Sequence, residues 1–322
     1  MVRKASERRL QKHPLFVSLG KATELEPGVS AMAQETYHLR LMRLEDMTSL
    51  PLEELILKPK QTYGAVSAKH LDSATTRKGY TTAVLSLFAH NPEFSRQHST
   101  AHDTWKLIHR SDGGLEAVVR KDNRLTAEKR EKMTSVPRMR AAARKLKKKI
   151  KTQEQSQHYL LLRFMTEVPP KRADLGELLV CKQVPKAYDG NYVLVPSKGD
   201  AKLVLQQYKT MKAYGVITDV LPKSLAADLK ASLEAYPRQY VFQQATGEPM
   251  TPSQYGAYVR AACLEHTGKA SGINDIRHAY ISDTCIASKL TYTELEAIAR
   301  SMGHSVGMQS QYQLVGWKAG GE

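Results

Sequence analysis

The chain has no long apolar run. No segment approaches the roughly eighteen uninterrupted apolar residues of a membrane-crossing helix, so no membrane partner is expected. The start, MVRKASERRLQKHP, is basic but has no apolar stretch behind it, which argues against a secretory signal. Cysteine is scarce. Cys181, Cys263 and Cys285 show no paired spacing, which gives no disulfide framework and points to a reduced, intracellular protein. Cys263 and His266 have a zinc-like spacing, but no second pair follows, and core packing accounts for them better. No internal repeat is visible.

Acidic residues are also in short supply. The net charge is +16, and the segment from Arg120 to Lys151 holds fourteen Lys/Arg against three Asp/Glu, a local +11. Such a block usually meets phosphate, because each neutralised phosphate releases condensed counterions. A solvated linker would carry the same charge run, and KLKKKIK could also serve nuclear targeting without excluding DNA contact.

With 322 residues and 41% hydrophobic content, the chain exceeds one typical core and has room for two domains and an arm. Residues 1–40 show no sustained periodicity and read as an N-terminal arm. From 41 to 120 the pattern is helical. In SATTRKGYTTAVLSLFAH, Tyr80, Val84, Leu87 and Phe88 recur at helical spacing on one face, with Arg77 and Lys78 off it. STAHDTWKLIHR forms another helix, ending at Ser111-Asp112-Gly113-Gly114. Residues 121–152, helical by propensity but interrupted at Pro137, read as a basic linker.

The unit from 153 to 322 mixes helix and strand. QEQSQHYLLLRFMTEV is a helix stopped by Pro169-Pro170, while NYVLVP, KLVLQQYKT and VITDVLP have strand character. KSLAADLKASLEAY follows as a helix. Thr251-Pro252-Ser253-Gln254 and Thr291-Tyr292-Thr293-Glu294 are helix starts, the first helix ending before Gly268 and the second at Gly303. His304 therefore follows a helix end, with Tyr312 on the next short element.

A tyrosine that attacks a phosphodiester needs three kinds of help. The phosphate charge must be offset, the phenol (ordinary pKa about 10) must lose its proton, and the leaving alkoxide must gain one. Arginine suits the first task, because its guanidinium stays charged and grips two oxygens. Lysine and histidine suit the proton transfers. The unit offers Arg172 in PPKRADLGELL, Lys209 in QQYKTMKAYG, Arg277 and His278 in INDIRHAYISD, and His304 and Tyr312 in GHSVGMQSQY. Taken singly, each has a bland explanation. Arg172 can pair with Asp174 or Glu177, Lys212 rivals Lys209, and Tyr312 is one of fifteen tyrosines.

The ordered set Arg, Lys, Arg-His, Gly-His, Tyr resembles the catalytic domain of the tyrosine recombinases, over roughly residues 155–315. The helical unit is similar, more weakly, to that family's core-binding domain. The PPKR start, the YKT lysine and the short tail resemble recombinases of large DNA viruses and eukaryotic mobile elements. The resemblance implies a helical core-binding domain followed by a mixed α+β catalytic domain with a small antiparallel sheet. It implies a site-specific recombinase or integrase that clamps duplex DNA and forms a homo-tetramer on synapsed sites, located wherever DNA is, in a nucleus, cytoplasm or viral factory.

The site roles follow from the same resemblance. Arg172 and Arg277 would hold the scissile phosphate, Lys209 would protonate the leaving 5′ oxygen, and His304 would bond a phosphate oxygen. Tyr312 would form a 3′-phosphotyrosyl link. No metal and no other cofactor is implied. DNA contacts are expected at Arg77 and Lys78 and, along the basic segment, at Arg140, Arg144, Lys145, Lys147, Lys148, Lys149 and Lys151. In one departure from the family pattern, Asn274 stands where many members have His or Lys, and asparagine is no general base near neutrality. His278 matches a common family position and is the possible substitute. In another, the spacing from His304 to Tyr312 is about one residue short. Two rival readings remain: a type IB topoisomerase, and a DNA-binding protein with a decayed site.

Overall fold

The computed structural model describes residues 10–21, 23, 28–285 and 290–317. Contacts divide the chain into Met1–Lys121 and Asp122–Glu322.

The first unit is helical: α1 Pro14–Val17, α2 Ala31–Thr48, α3 Leu52–Leu57, α4 Pro59–Lys69, α5 Ala74–Ala89, α6 Pro92–Gln97 and α7 Ser99–Asp122. Its core gathers Leu41 and Leu44 of α2, Leu55 and Ile56 of α3, Val84, Leu87 and Phe88 of α5, and Trp105 of α7. Trp105 is buried and donates its indole N–H to the Ile56 carbonyl at 2.8 Å. The segment expected to be an arm departs from that reading. Leu10, Leu15, Phe16 and Leu19 are buried in this core, and α2 begins at Ala31 behind a Ser30 cap. Their apolar side chains sit on short elements that leave no long periodicity to read. Of that segment, residues 1–9, 22 and 24–27 lie outside the described residues.

The expected break at 111–114 is also absent, since α7 runs through both glycines. Each costs about 1 kcal/mol against alanine in a helix interior. Offsetting this, Asp112 is fully buried and accepts from Arg77 Nε at 3.0 Å and from the Tyr63 hydroxyl at 2.7 Å.

The second unit begins with α8 Ala127–Lys132 and α9 Val136–Lys147, followed by α10 Gln153–Glu167. The segment read as a linker is thus built into this unit. Val136, Met139, Ala142, Ala143 and Leu146 form the buried face of α9 and belong to the main core. Ser135 caps α9, and Pro137 sits in its first turn, where a missing N–H is tolerated.

A four-stranded sheet follows, β1 Leu179–Cys181, β2 Tyr192–Leu194, β3 Lys202–Leu205 and β4 Ile217–Val220, in the order β1-β2-β3-β4. β2, β3 and β4 pair antiparallel, with Tyr192 opposite Val204 and Val204 opposite Thr218. β1 pairs parallel to β2, so the sheet is mixed rather than antiparallel throughout. Residues 182–191 return the chain to the same end of the sheet, as a parallel pair requires.

Helix α11 Met211–Tyr214 lies between β3 and β4. It is followed by α12 Lys223–Ala235, α13 Pro252–Thr267, α14 Ile273–Cys285, α15 Tyr292–Ser301 and α16 Val306–Ser310. Both expected capping boxes form, at Thr251/Gln254 and Thr291/Glu294. No helix among the described residues is long and apolar enough to cross a membrane.

Candidate active site

Arg277 is the hub. It lies on α14 with its side chain fully buried. Its Nη1 donates to the Pro170 carbonyl at 2.7 Å and its Nη2 to the Met302 carbonyl at 3.2 Å, while the guanidinium lies 5.1 Å from the Tyr312 ring centre. One side chain thus joins the segment after α10, the end of α15 and the tyrosine. Burial lowers its pKa, and Tyr312 opposes that shift.

Tyr312 is 8% exposed and sits between two histidines. His304 stacks on it with centroids 5.4 Å apart and planes 16° apart, and His278 approaches at 4.7 Å. The His278 Nδ1 lies 2.8 Å from the Tyr312 carbonyl, so this histidine fixes the tyrosine's backbone. Burial lowers the His278 pKa.

His304 follows Gly303, whose φ of +69° favours glycine. Its Nδ1 lies 3.0 Å from the Ser305 carbonyl, and its buried Nε2 has no partner. Burial first, then the charges of Arg277 and Arg172, push its pKa down to about 4.

Arg172 follows the two prolines that end α10. It is partly buried, and its Nε is buried without a partner. Its charge acts on Arg277, His304 and Asp174. The Asp174 carboxyl is pushed up by burial, with the two arginines opposing the shift.

Lys209 is exposed, in the turn after β3. Its neighbours hold that turn against the Gly303-His304 corner: Thr210 Oγ1 donates to the Gly303 carbonyl at 2.7 Å, and a Cβ on Gly303 would come within 3.2 Å of the Tyr208 ring. Asn274 is exposed in the first turn of α14.

Sequence reasoning missed Lys171. It is 2% exposed, pairs with Asp219 of β4, and donates to the carbonyl and hydroxyl of Ser301, each at 2.5 Å. It therefore ties the Arg172 segment to the sheet and to the end of α15. The visible signal was the first basic residue of PPKR, directly before Arg172, together with a carboxylate inside a short strand.

The expected DNA contacts divide into two groups. Arg77 is 6% exposed and committed to Asp112 and to the carbonyls of His70 and Leu71. Its Nε and Nη1 are thus engaged inside the helical unit rather than offered to a backbone phosphate. Lys78 pairs with Glu116 at 2.7 Å, Arg140 donates to the Thr166 carbonyl, and Lys147 pairs with Asp228. By contrast, Arg144, Lys145, Lys148, Lys149 and Lys151 are exposed along and just beyond α9, and none forms an ion pair among the described residues.

No protein-family model and no curated protein sequence matches the chain. Among solved structures it is similar to a lambda integrase fragment seen as a dimer bound to a COC′ core site, with a TM-score of 0.51, 14% identity, and 96% of this chain and 93% of that chain covered. The chain has the tyrosine-recombinase fold. Further tyrosine-recombinase structures match less closely. A lambda integrase tetramer bound to a Holliday junction gives a TM-score of 0.49 at 14% identity, covering 96% of this chain and 75% of that one. XerA recombinase gives 0.39 at 12% identity, covering 89% and 88%.

Proposed function

We propose that the protein is a site-specific DNA recombinase of the tyrosine-recombinase family. The observation that carries this reading is the convergence of Arg277, His304 and His278 on Tyr312 within that fold. In the proposed reaction the Tyr312 phenol oxygen attacks the scissile phosphorus as its proton passes to a neutral histidine of the cluster, for which His278 is the candidate. The bond from phosphorus to the 5′ oxygen breaks, leaving a 3′-phosphotyrosyl link whose energy is kept for rejoining. Lys209 gives the 5′ oxygen its proton. Arg172 and Arg277 offset the charge of the pentavalent transition state, an effect of several kcal/mol in sites of this kind, on the order of 3 for one donor.

His304 enters the reaction neutral, with a free Nε2. Burial is the main cause of its low pKa and the arginines the lesser one; a phosphate seated between the arginines offsets their part, and Nε2 donates to a phosphate oxygen once it carries a proton. His278 holds the nucleophile's backbone and remains the candidate to cover for Asn274 in proton transfer. The exposed basic residues from Arg144 to Lys151 lie along the DNA backbone. The DNA-bound lambda integrase dimer supports duplex DNA as the partner, and assembly into a tetramer on paired sites completes the proposal. The PPKR and YKT motifs favour the branch found in large DNA viruses and eukaryotic mobile elements.

The test is covalent trapping on nicked DNA that cannot be rejoined, with wild type and Tyr312→Phe side by side. A denaturation-resistant, protease-sensitive adduct with wild type alone supports the reading. Relaxation of supercoils by a protein that stays monomeric on DNA would favour a type IB topoisomerase instead. Absence of any adduct on DNA the protein binds would leave a decayed, binding-only protein.

A further inference from the structure

Away from Tyr312, a second group of chemistry-bearing side chains meets between α10 and α13. His158 of α10 projects its Nδ1 to within 3.0 Å of Nε2 of His266, in the last turn of α13. The Glu265 carboxylate bridges the two, one oxygen 3.6 Å from His158 Nδ1 and the other 3.6 Å from His266 Nε2. Consecutive residues on a helix do not face each other, yet Glu265 and His266 both converge on the same imidazole. We propose that His158, Glu265 and His266 form a binding site for one divalent transition-metal cation of the zinc type.

The spacing fits. Zinc bound to imidazole and carboxylate at about 2.0–2.1 Å in a tetrahedron sets its ligand atoms roughly 3.3–3.4 Å apart. The two nitrogens lie 3.0 Å apart, each lies 3.6 Å from one or other Glu265 oxygen, and one ligand atom from each of the three residues lies within 4.8 Å of the others, so a small turn of the exposed carboxylate closes the set. The donor set of two imidazoles and one carboxylate suits zinc and its neighbours better than magnesium or calcium. The side-chain exposures of 5% for His158, 12% for His266 and 58% for Glu265 describe a site closed at its base and open at its rim. The fourth position is therefore free for water. Tyr258 packs on the His158 ring at 5.0 Å and holds its orientation. The Glu154 carboxylate, one turn before His158, adds negative charge nearby.

The placement gives such a cation a structural role. α10 runs through Pro169-Pro170 into Arg172, and α13 runs through Gly268 into α14, which carries Arg277. A metal tying His158 to His266 therefore links the helices that lead into both arginines. The proposal shares no residue with the Tyr312 cluster and does not depend on the reaction assigned there.

The experiment uses the full-length chain, free of any affinity tag and stripped with chelator. It is titrated with Co²⁺ as a spectroscopic probe and then with Zn²⁺. One equivalent of Co²⁺ giving visible d–d absorption, displaced by one equivalent of Zn²⁺, is the expected result. A rise in the thermal midpoint with Zn²⁺ should accompany it, because a ligand bound only by the folded state stabilises it. Glu265→Gln and His266→Gln, each checked for unchanged circular dichroism, should weaken the affinity by at least about tenfold. Glu265 lies at the exposed rim, so its variant keeps the test decisive even if His266→Gln disturbs packing. Failure to take up a single equivalent, or uptake undiminished in Glu265→Gln, would overturn the proposal and leave only a hydrogen-bonded histidine pair.

Discussion

Replacing His304 with glutamine should flatten the acid side of the protein's stability profile. In the folded state the His304 pKa falls from the ordinary 6.5 to about 4, through burial first and the two arginines second. The unfolded chain therefore takes up the proton near pH 6.5, while the folded chain resists until near pH 4. The stabilising contribution of the neutral, buried ring is fully present above the unfolded value and is lost as pH falls through this window. At about 1.4 kcal/mol per unit, the whole span corresponds to about 3 kcal/mol, of which about 2.5 is lost by about pH 4.5. His304→Gln keeps a neutral polar side chain and removes the proton. Its own stability at neutral pH is immaterial, because only the slope is compared. His278 and His158 also have lowered values, but both are present in the two proteins and cancel. Urea unfolding, read by hydrogen exchange at α14 amides in steps from about pH 7 to about pH 4.5, gives the two profiles. Parallel profiles, within the roughly 0.5 kcal/mol to which independent effects add, would mean that the folded protein protonates His304 freely, and the charge-loaded picture of the site would be wrong.

Tyr312→Phe should abolish the covalent adduct while DNA affinity in a gel shift stays within about twofold, since the hydroxyl belongs to chemistry rather than to backbone contact. Replacing Arg144, Lys145, Lys148, Lys149 and Lys151 with glutamine should reduce the slope of log affinity against log salt by about 0.9 for each residue on a phosphate; an unchanged slope would take this face off the DNA. Lys171→Met leaves the partly exposed Asp219 without its cation and should cost about 1–3 kcal/mol, measured as a fall in the denaturant midpoint, and the Asp219→Asn partner substitution should recover part of it. Arg77→Met should destabilise the helical unit by about 3–5 kcal/mol without changing the salt slope, where a DNA-contacting arginine would do the reverse.

The sequence carried the local signals well. Both capping boxes, the proline stop after α10 and the three strands 192–194, 202–205 and 217–220 follow from neighbours within a few residues. The failures share a different cause. β1 is only three residues long and parallel to its neighbour, so it has neither alternation nor a hairpin turn to announce it. The continuity of α7 depends on Asp112 meeting Arg77 and Tyr63 from other helices, and no local propensity encodes that meeting. The basic segment was legible as charge, but its buried stripe of Met139, Ala142, Ala143 and Leu146 is half alanine and reads weakly as a core face. At the site, the order of Arg172, Lys209, Arg277, His304 and Tyr312 was visible as motif. Lys171 was not, because a buried lysine is identified by its partners Asp219 and Ser301, about 50 and 130 positions away.

The electrostatics of the site argue for a single kind of occupant. Arg172 and Arg277 lie close enough for each to be felt by His304, and Arg172 lowers the pKa of Arg277. Arg277 is fully buried, its Nε has no partner, and neither does Nε of Arg172 or Nε2 of His304. Like charges gathered in a low-dielectric setting with unused donors are costly unless an anion completes them. The Asp174 carboxylate acts on Arg277 in the opposite sense to Arg172, and burial pushes its own pKa up. The local framework is meanwhile held rigidly: Arg277 by two carbonyls, Lys171 by Asp219 and Ser301, and Tyr312 by His278. An oxyanion suits this arrangement because the two unused guanidinium N–H groups, Nε of Arg172 and Nε of Arg277, come from separate segments of the chain, while neutral His304 can donate from Nε2 only after gaining a proton. The phosphodiester proposed as substrate would relieve this imbalance, and would relieve it most with a fifth oxygen on the phosphorus.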